Sequence, residues 1–191
     1  MTPGVRAHGR WHESLIWTRA YLPVGRASLD AVADAVGITR QGLLHYFPSK
    51  VELLLGVLDL RQAEDHERVQ RMFDHSQGMA DALITLARRN EVRPELIRMF
   101  TILASESVDA EHPGHEWFVD RYRGLRSRMA ERIEAEQRAG TLSAALAPDS
   151  IAVLLIAVMD GLQIQHLLDP GAVDLVEPLE DLLRLLDGRA A

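Results

Sequence analysis

Apolar side chains recur along most of this chain at a spacing near 3.6 residues, while the alternating, β-branched runs that build strands are scarce. The pattern predicts an all-α protein of about nine helices. Ser28 is placed to cap a short helix from Leu29 to Val36 that Gly37 ends, and Thr39 to cap a second running to about Phe47, before Pro48. In "PSKVELLLGVLDL", Ser49 caps a third helix in which Val51, Leu54, Leu55 and Leu58 fall at i, i+3, i+4 and i+7, followed by a charged continuation to about Phe73. Further periodic segments lie near 79–89, 94–108, 114–139, 149–168 and 173–187, punctuated by Pro94, Pro113, Gly140 with Pro148, and Pro170 with Gly171. Upstream, one helix is expected from His12 to Tyr21. The chain shows no repeat and no flexible linker, so the division expected is a head, residues 1–50, and a body, residues 51–191, joined through the helix that begins near Lys50.

Position by position, "SLDAVADAVGITRQGLLHYF" reads as a helix-turn-helix. Leu29, Val32 and Val36 form the buried stripe of the first helix, Ala33 is the small residue where two steeply crossed helices touch, and Gly37 supplies the positive φ of a tight turn. Ile38 plugs the corner. Either Leu43 with Tyr46 or Leu44 with Phe47 buries the second helix, leaving Thr39, Arg40, Gln41, Gly42 and His45 facing outward. Those residues suit DNA: Arg40 and Gln41 can bond guanine and adenine edges bidentately, Gly42 allows close approach, and a helix N-terminus favours phosphate.

Charge sharpens this picture. The net charge is −7, yet residues 1–50 carry six Lys/Arg against three Asp/Glu and residues 51–191 carry fifteen against twenty-five. A basic head on an acidic body fits a module that neutralises phosphate on one face only. Arg6, Arg10, Arg19 and Arg26 are candidates for phosphate contacts or a minor-groove arm. Cysteine is absent, which excludes disulfides, thiolate nucleophiles and Cys-ligated metals and points to the cytoplasm. The longest apolar run, Ile151 to Met159, stops at Asp160, short of the roughly 20 residues a membrane helix needs, so no membrane partner is expected. No GxGxxG, Walker A, GxSxG or HExxH pattern occurs, so neither an enzyme nor a cofactor is expected. His112 and His115 flank a Pro-Gly turn without the i, i+4 spacing of a helical metal site, and read as a loop and helix start.

The helix-turn-helix followed by "LLHYFPSK" resembles the TetR family of bacterial transcription regulators, closely over residues 28–58. The resemblance implies base reading by the outward residues of the second helix, phosphate contacts from Tyr46 and Lys50, and packing by Leu43 and Phe47. Leu44 stands where the family often has Tyr, which removes one phosphate hydrogen bond. Pro23 stands where a glycine normally ends the first helix.

In the body, Ile151, Leu154, Leu155, Val158, Leu162 and Gln165 make one stripe, and Val173, Val176, Leu179, Leu182, Leu183 and Leu186 another. The resemblance implies that this pair of helices builds a homodimer, with intrachain core as the competing use. Pocket walls are sought among the middle helices: Met72, Phe73, Met99, Phe100, Trp117, Phe118 and Tyr122, with His66, His112, His115 or Arg121 as polar contacts. The expectation is a homodimeric repressor on palindromic double-stranded DNA, released by a small hydrophobic effector. The alternative is a ligand-binding or enzymatic helical bundle whose head has lost DNA binding.

Overall fold

The computed structural model describes residues 28–75 and 78–187. The helix expected from His12 to Tyr21, the departure at Pro23, and the cationic arm of Arg6, Arg10, Arg19 and Arg26 lie outside them. The described residues form eight helices and no strand, with one isolated bridge between Leu142 and Asp187. The architecture is all-α.

The head is built by local caps. Ser28 Oγ accepts from the Ala31 amide at 3.2 Å to start α1, Leu29–Val36. Gly37, at φ 74°, ends it, and the Ile38 amide donates back to the Ala33 carbonyl at 3.0 Å. Thr39 Oγ1 accepts from the Gly42 amide at 3.0 Å to start α2, Arg40–Tyr46, and Ser49 Oγ accepts from Glu52 to start α3, Lys50–Asp74. Val32, Ala33, Leu43 and Leu53 form the head's apolar cluster, with Leu29, Ile38 and Phe47 packed against it. Because Leu53 belongs to this cluster, the head's core reaches past the division expected at Lys50. Neither pairing expected for α2 occurs as written. Leu43 and Phe47, one helical turn apart, face inward, whereas Tyr46 is 49% exposed and Leu44 only partly buried.

The body comprises α4 (Met79–Glu91), α5 (Pro94–Glu106), α6 (His115–Arg138), α7 (Pro148–Leu168) and α8 (Glu177–Leu186). Proline opens α5 and α7, where its missing N–H leaves no bond unmade. The last periodic segment was expected to be helical from 173, but α8 begins at Glu177. Asp174 Oδ1 accepts from the amides of Val176 and Glu177 at 2.6 and 2.8 Å, and these bonds hold its carboxyl below the usual range. They also capture donors that an upstream turn would need.

Two apolar clusters hold the body together. Near the head, Leu54, Leu55 and Leu58 of α3 pack with Leu96, Met99 and Leu103 of α5 and Phe118 of α6. At the far end, Met79, Leu83 and Ala87 of α4 meet Ile133 of α6, Ile151 and Leu155 of α7, and Leu179 and Leu183 of α8. The first C-terminal stripe therefore divides, while the second stays turned into the chain. Ile151, Leu155, Leu179 and Leu183 are intrachain core, while Leu154 turns outward with Val153, Ile164 and Leu168 on α7 and Leu185 on α8. The outward positions Val153, Ala157, Gly161, Ile164 and Leu168 recur every three or four residues along one seam. Among the described helices, α7 alone is long and apolar enough to cross a membrane, and 28% of its most apolar stretch is buried within the chain.

Candidate nucleic-acid interface and internal cavity

The clamp of Leu43 and Phe47 fixes which side of α2 meets solvent. Thr39, Arg40, Gln41 and His45 are exposed, Tyr46 is half-exposed with its ring edge-on to His45 at 5.3 Å, and Gly42 and Lys50 are partly buried. A Cβ at Gly42 would lie 3.3 Å from Thr39 Oγ1, so a larger residue there crowds the hydroxyl that caps the helix. Arg40 Nη1 pairs with Asp30 Oδ2 of α1 at 3.2 Å, both side chains 58% exposed. A surface pair of this kind is worth about 0–1 kcal/mol, so Arg40 can exchange Asp30 for a base edge at little cost. Gly56 lets α3 approach this unit closely: a Cβ there would sit 2.9 Å from Phe47 Cε1.

Between the two apolar clusters of the body lies a cavity of about 550 Å³. Leu58 and Leu96 reach it from the cluster near the head, and Met79 and Leu83 from the far one. α3 lines it from Leu58 to Phe73, so one helix carries the head's Leu53 at one end and the cavity wall along the rest.

The wall is less apolar than the sequence suggests. Arg61 is 9% exposed; its Nε bonds Asp65 Oδ2 at 2.5 Å and its Nη2 bonds Asn90 Oδ1 at 3.2 Å, while Nη1 is buried without a hydrogen-bond partner among the described residues. Asp65 also faces Arg89 Nε at 3.4 Å, so one carboxylate serves two guanidiniums. Burial, then repulsion from Arg61, lowers the Arg89 pKa. Across the cavity, Arg121 donates from Nη1 to Gln62 Oε1 and lies over the rings of Phe100 and Trp117, 5.0 and 5.7 Å from their centroids. Its Nε is buried and unpartnered, and burial is the main influence lowering its pKa. Asp160 accepts from the Tyr122 hydroxyl at 2.7 Å. Burial raises the Asp160 pKa against the opposing pull of that hydrogen bond and of Arg121, and raises the Tyr122 phenol above its ordinary range, keeping it a neutral donor.

Of the expected ligand residues, Phe73 and Phe100 lie on the wall, as do His66 and Arg121. Tyr122 stands behind Asp160. Met99 is core, Met72 lies off the wall, and Trp117 backs Phe118 with its Nε1 donating to Asp59 Oδ1 at 2.7 Å. His112 and His115 sit elsewhere. His112 Nδ1 accepts from the Gly114 amide at 3.1 Å and lies 2.9 Å from Ser107 Oγ, while His115 Nδ1 is 2.9 Å from the Ser107 carbonyl. They fasten the loop before α6. No group of three His, Asp or Glu side chains that could hold a metal occurs among the described residues. Missed by the sequence reading were Arg61, Gln62, Asp65, Asn90, Asp160 and Gln163. A signal for two of them existed: Arg61 and Asp65 continue the Leu54, Leu58 stripe in register, which puts charge where burial is expected.

Residues 23–57 match the family described as bacterial regulatory proteins, tetR family, and residues 81–190 match the C-terminal domain of BetI-type transcriptional repressors. The HTH-type transcriptional regulator TtgR of Pseudomonas putida is 26% identical, the alignment covering 85% of this chain and 84% of that protein. A regulator from Saccharomonospora viridis, solved in complex with choline, superposes with a TM-score of 0.72 at 20% identity, over 88% of this chain and 93% of the other. FadR of Thermus thermophilus, solved with lauroyl-CoA, gives 0.63 at 17% identity, over 88% and 91%.

Proposed function

The chain belongs to the tetR family of bacterial regulatory proteins, and from that premise we propose that it is a cytoplasmic, homodimeric repressor that reads a palindromic operator through α2 and leaves it when a small molecule fills the cavity. The observation that carries the reading is the presentation of α2: Leu43 and Phe47 hold it from behind, and Thr39, Arg40, Gln41 and His45 stand in one exposed row. Arg40 and Gln41 read bases; Tyr46 and Lys50 contact phosphate. Pairing runs through the outward face of α7 and Leu185 of α8, an apolar seam that water covers poorly in a monomer. Ala157 and Gly161 at its centre allow close approach of the partner's helix.

Coupling follows from α3. A ligand changes DNA affinity only if it binds two arrangements of the heads unequally, and a 100-fold change needs about 2.7 kcal/mol of difference. A tilt of α3 at the cavity is transmitted through Leu53 to the head, and two heads reading half-sites about one helical turn apart lose register together.

The test begins by selecting bound duplexes from a random pool and titrating the winner at several salt concentrations. Arg40→Ala and Gln41→Ala should each cost about 1–3 kcal/mol on the selected site and relax its sequence preference. Lys50→Ala should weaken all duplexes alike and lower the salt slope by about one. Unchanged affinity in all three variants, with the fold intact, removes α2 from the interface.

A further inference from the structure

We propose that the cavity selects a monoanionic amphiphile, a carboxylate on an apolar aliphatic or aromatic body, and rejects quaternary ammonium ligands; this rests on the effector reading above and names the ligand's chemistry.

The argument turns on what already occupies the aromatic faces. A cationic ligand is normally held by ring faces supplemented by carboxylates. Two aromatic residues line this cavity, Phe73 and Phe100, and the chain's own cations cover both. Arg121 lies over Phe100 at 5.0 Å, and Arg132 over Phe73 at 4.2 Å. A bound ammonium would meet guanidinium where it needs π-electrons. The nearby carboxylates are engaged too: Asp65 is shared by Arg61 and Arg89, Asp160 is bonded by Tyr122, and Glu131 accepts from the Ser127 hydroxyl.

The same groups are incomplete as cation hosts and complete as anion hosts. Of the arginines on the wall, Arg61 is paired with Asp65 at 2.5 Å and Arg132 with Glu136 at 2.8 Å. Arg121 forms no ion pair among the described residues, although it is largely removed from water. A guanidinium cannot shed its proton to escape that cost, so an incoming anion relieves it. On the arginines of the wall, Arg61 Nη1 and Arg121 Nε are buried without acceptors, and a carboxylate is a two-oxygen acceptor. One unpaired guanidinium suits a monoanion and leaves a dianionic phosphate undercompensated. Leu58, Leu83, Leu96 and Ile97 supply the wall for the apolar body.

The experiment uses the full chain and probes that differ only in the head: decanoate, decanol and decyltrimethylammonium below their micellar concentrations, then the same three heads on a 4-phenylbutyl tail. Thermal shift and calorimetric titration should show the carboxylate binding about 10- to 100-fold more tightly than the alcohol on at least one tail, with the ammonium weakest. Arg121→Gln should bring carboxylate and alcohol to equal affinity. Arg121→Lys keeps the charge but loses the fork, and should retain part of the preference, which separates head recognition from a general loss of fold. Binding of the ammonium as tightly as the carboxylate overturns the proposal, as does an unaltered preference in Arg121→Gln or binding of none of the six probes. Operator affinity is read separately. A carboxylate that binds without releasing DNA leaves the head-group assignment standing and defeats the effector reading; an ammonium that binds and releases DNA does the reverse.

Discussion

Arg40 and Arg121 carry the same guanidinium in opposite settings. Arg40 stands in solvent, loosely paired with Asp30 on the neighbouring helix. Arg121 lies against two aromatic rings with a hydrogen bond to Gln62 and no carboxylate partner among the described residues. The first residue contributes little to folding and is free to exchange partners; the second holds an electrostatic cost inside the body. The head can therefore vary the exposed residues of α2 without endangering the fold, whereas the cavity cannot change its charges without moving stability.

The widest expected gap between outward and inward positions falls on adjacent residues of α7. Leu155 is 0% exposed and Leu154 is 52% exposed. Leu155→Glu should abolish folding, a loss above about 4 kcal/mol, because it buries an unpaired charge among Ile151, Leu179 and Ile133. Leu154→Glu should keep the wild-type circular dichroism and give a monomer by light scattering. A dimeric Leu154→Glu would move the pairing surface off α7. A smaller effect is expected at the joint of head and body. Gly56→Ala drives a methyl into the Phe47 ring and should lower head stability by about 1–3 kcal/mol. Hydrogen exchange should show this as faster amide exchange in α1 and α2 with α7 unchanged; equal acceleration throughout would mean that the head does not open separately.

The smallest change concerns Asp160. Its folded pKa is raised by burial, so its charge destabilises the fold above that value, and the penalty fades as pH falls through it towards the ordinary carboxylate range. Asp160→Asn keeps an acceptor for Tyr122 and should raise Tm slightly at neutral pH. The gain should vanish in acid. A gain that persists at low pH would place its origin in packing.

What the sequence disclosed and what it hid divide along the same line. The head was legible because its determinants are local: Ser28, Gly37, Thr39 and Ser49 act within three or four residues, and the caps form where spacing placed them. Spacing alone did not give Leu43 with Phe47, which the family resemblance implied: the pairs it offered each held one of these two residues, and Leu53, arriving on α3, completes the cluster that takes both. Pro94 and Pro148 marked helix starts correctly. The α7 stripe left its use open because the helix is apolar on both faces, and periodicity alone cannot say which face joins Ile133, Leu179 and Leu183. The cavity was least legible. Arg121 was named as a polar contact, but Arg61 stands on a different helix, and a rule that seeks pockets among aromatic and methionine residues passes over it, though its register with Leu54 and Leu58 was there to be read.

The double-sided composition of α7 also bears on the order of synthesis. As the chain leaves the ribosome, α7 emerges complete before Leu175, Leu179 and Leu183, which join Ile151 and Leu155 of its inner face in the far cluster. During that interval the nascent chain displays a segment with the length and composition of a membrane span. A truncation that removes Leu175 and all of α8 leaves that cluster unfinished, so loss of a short C-terminal stretch should send the protein to chaperones or membranes rather than merely trimming its edge.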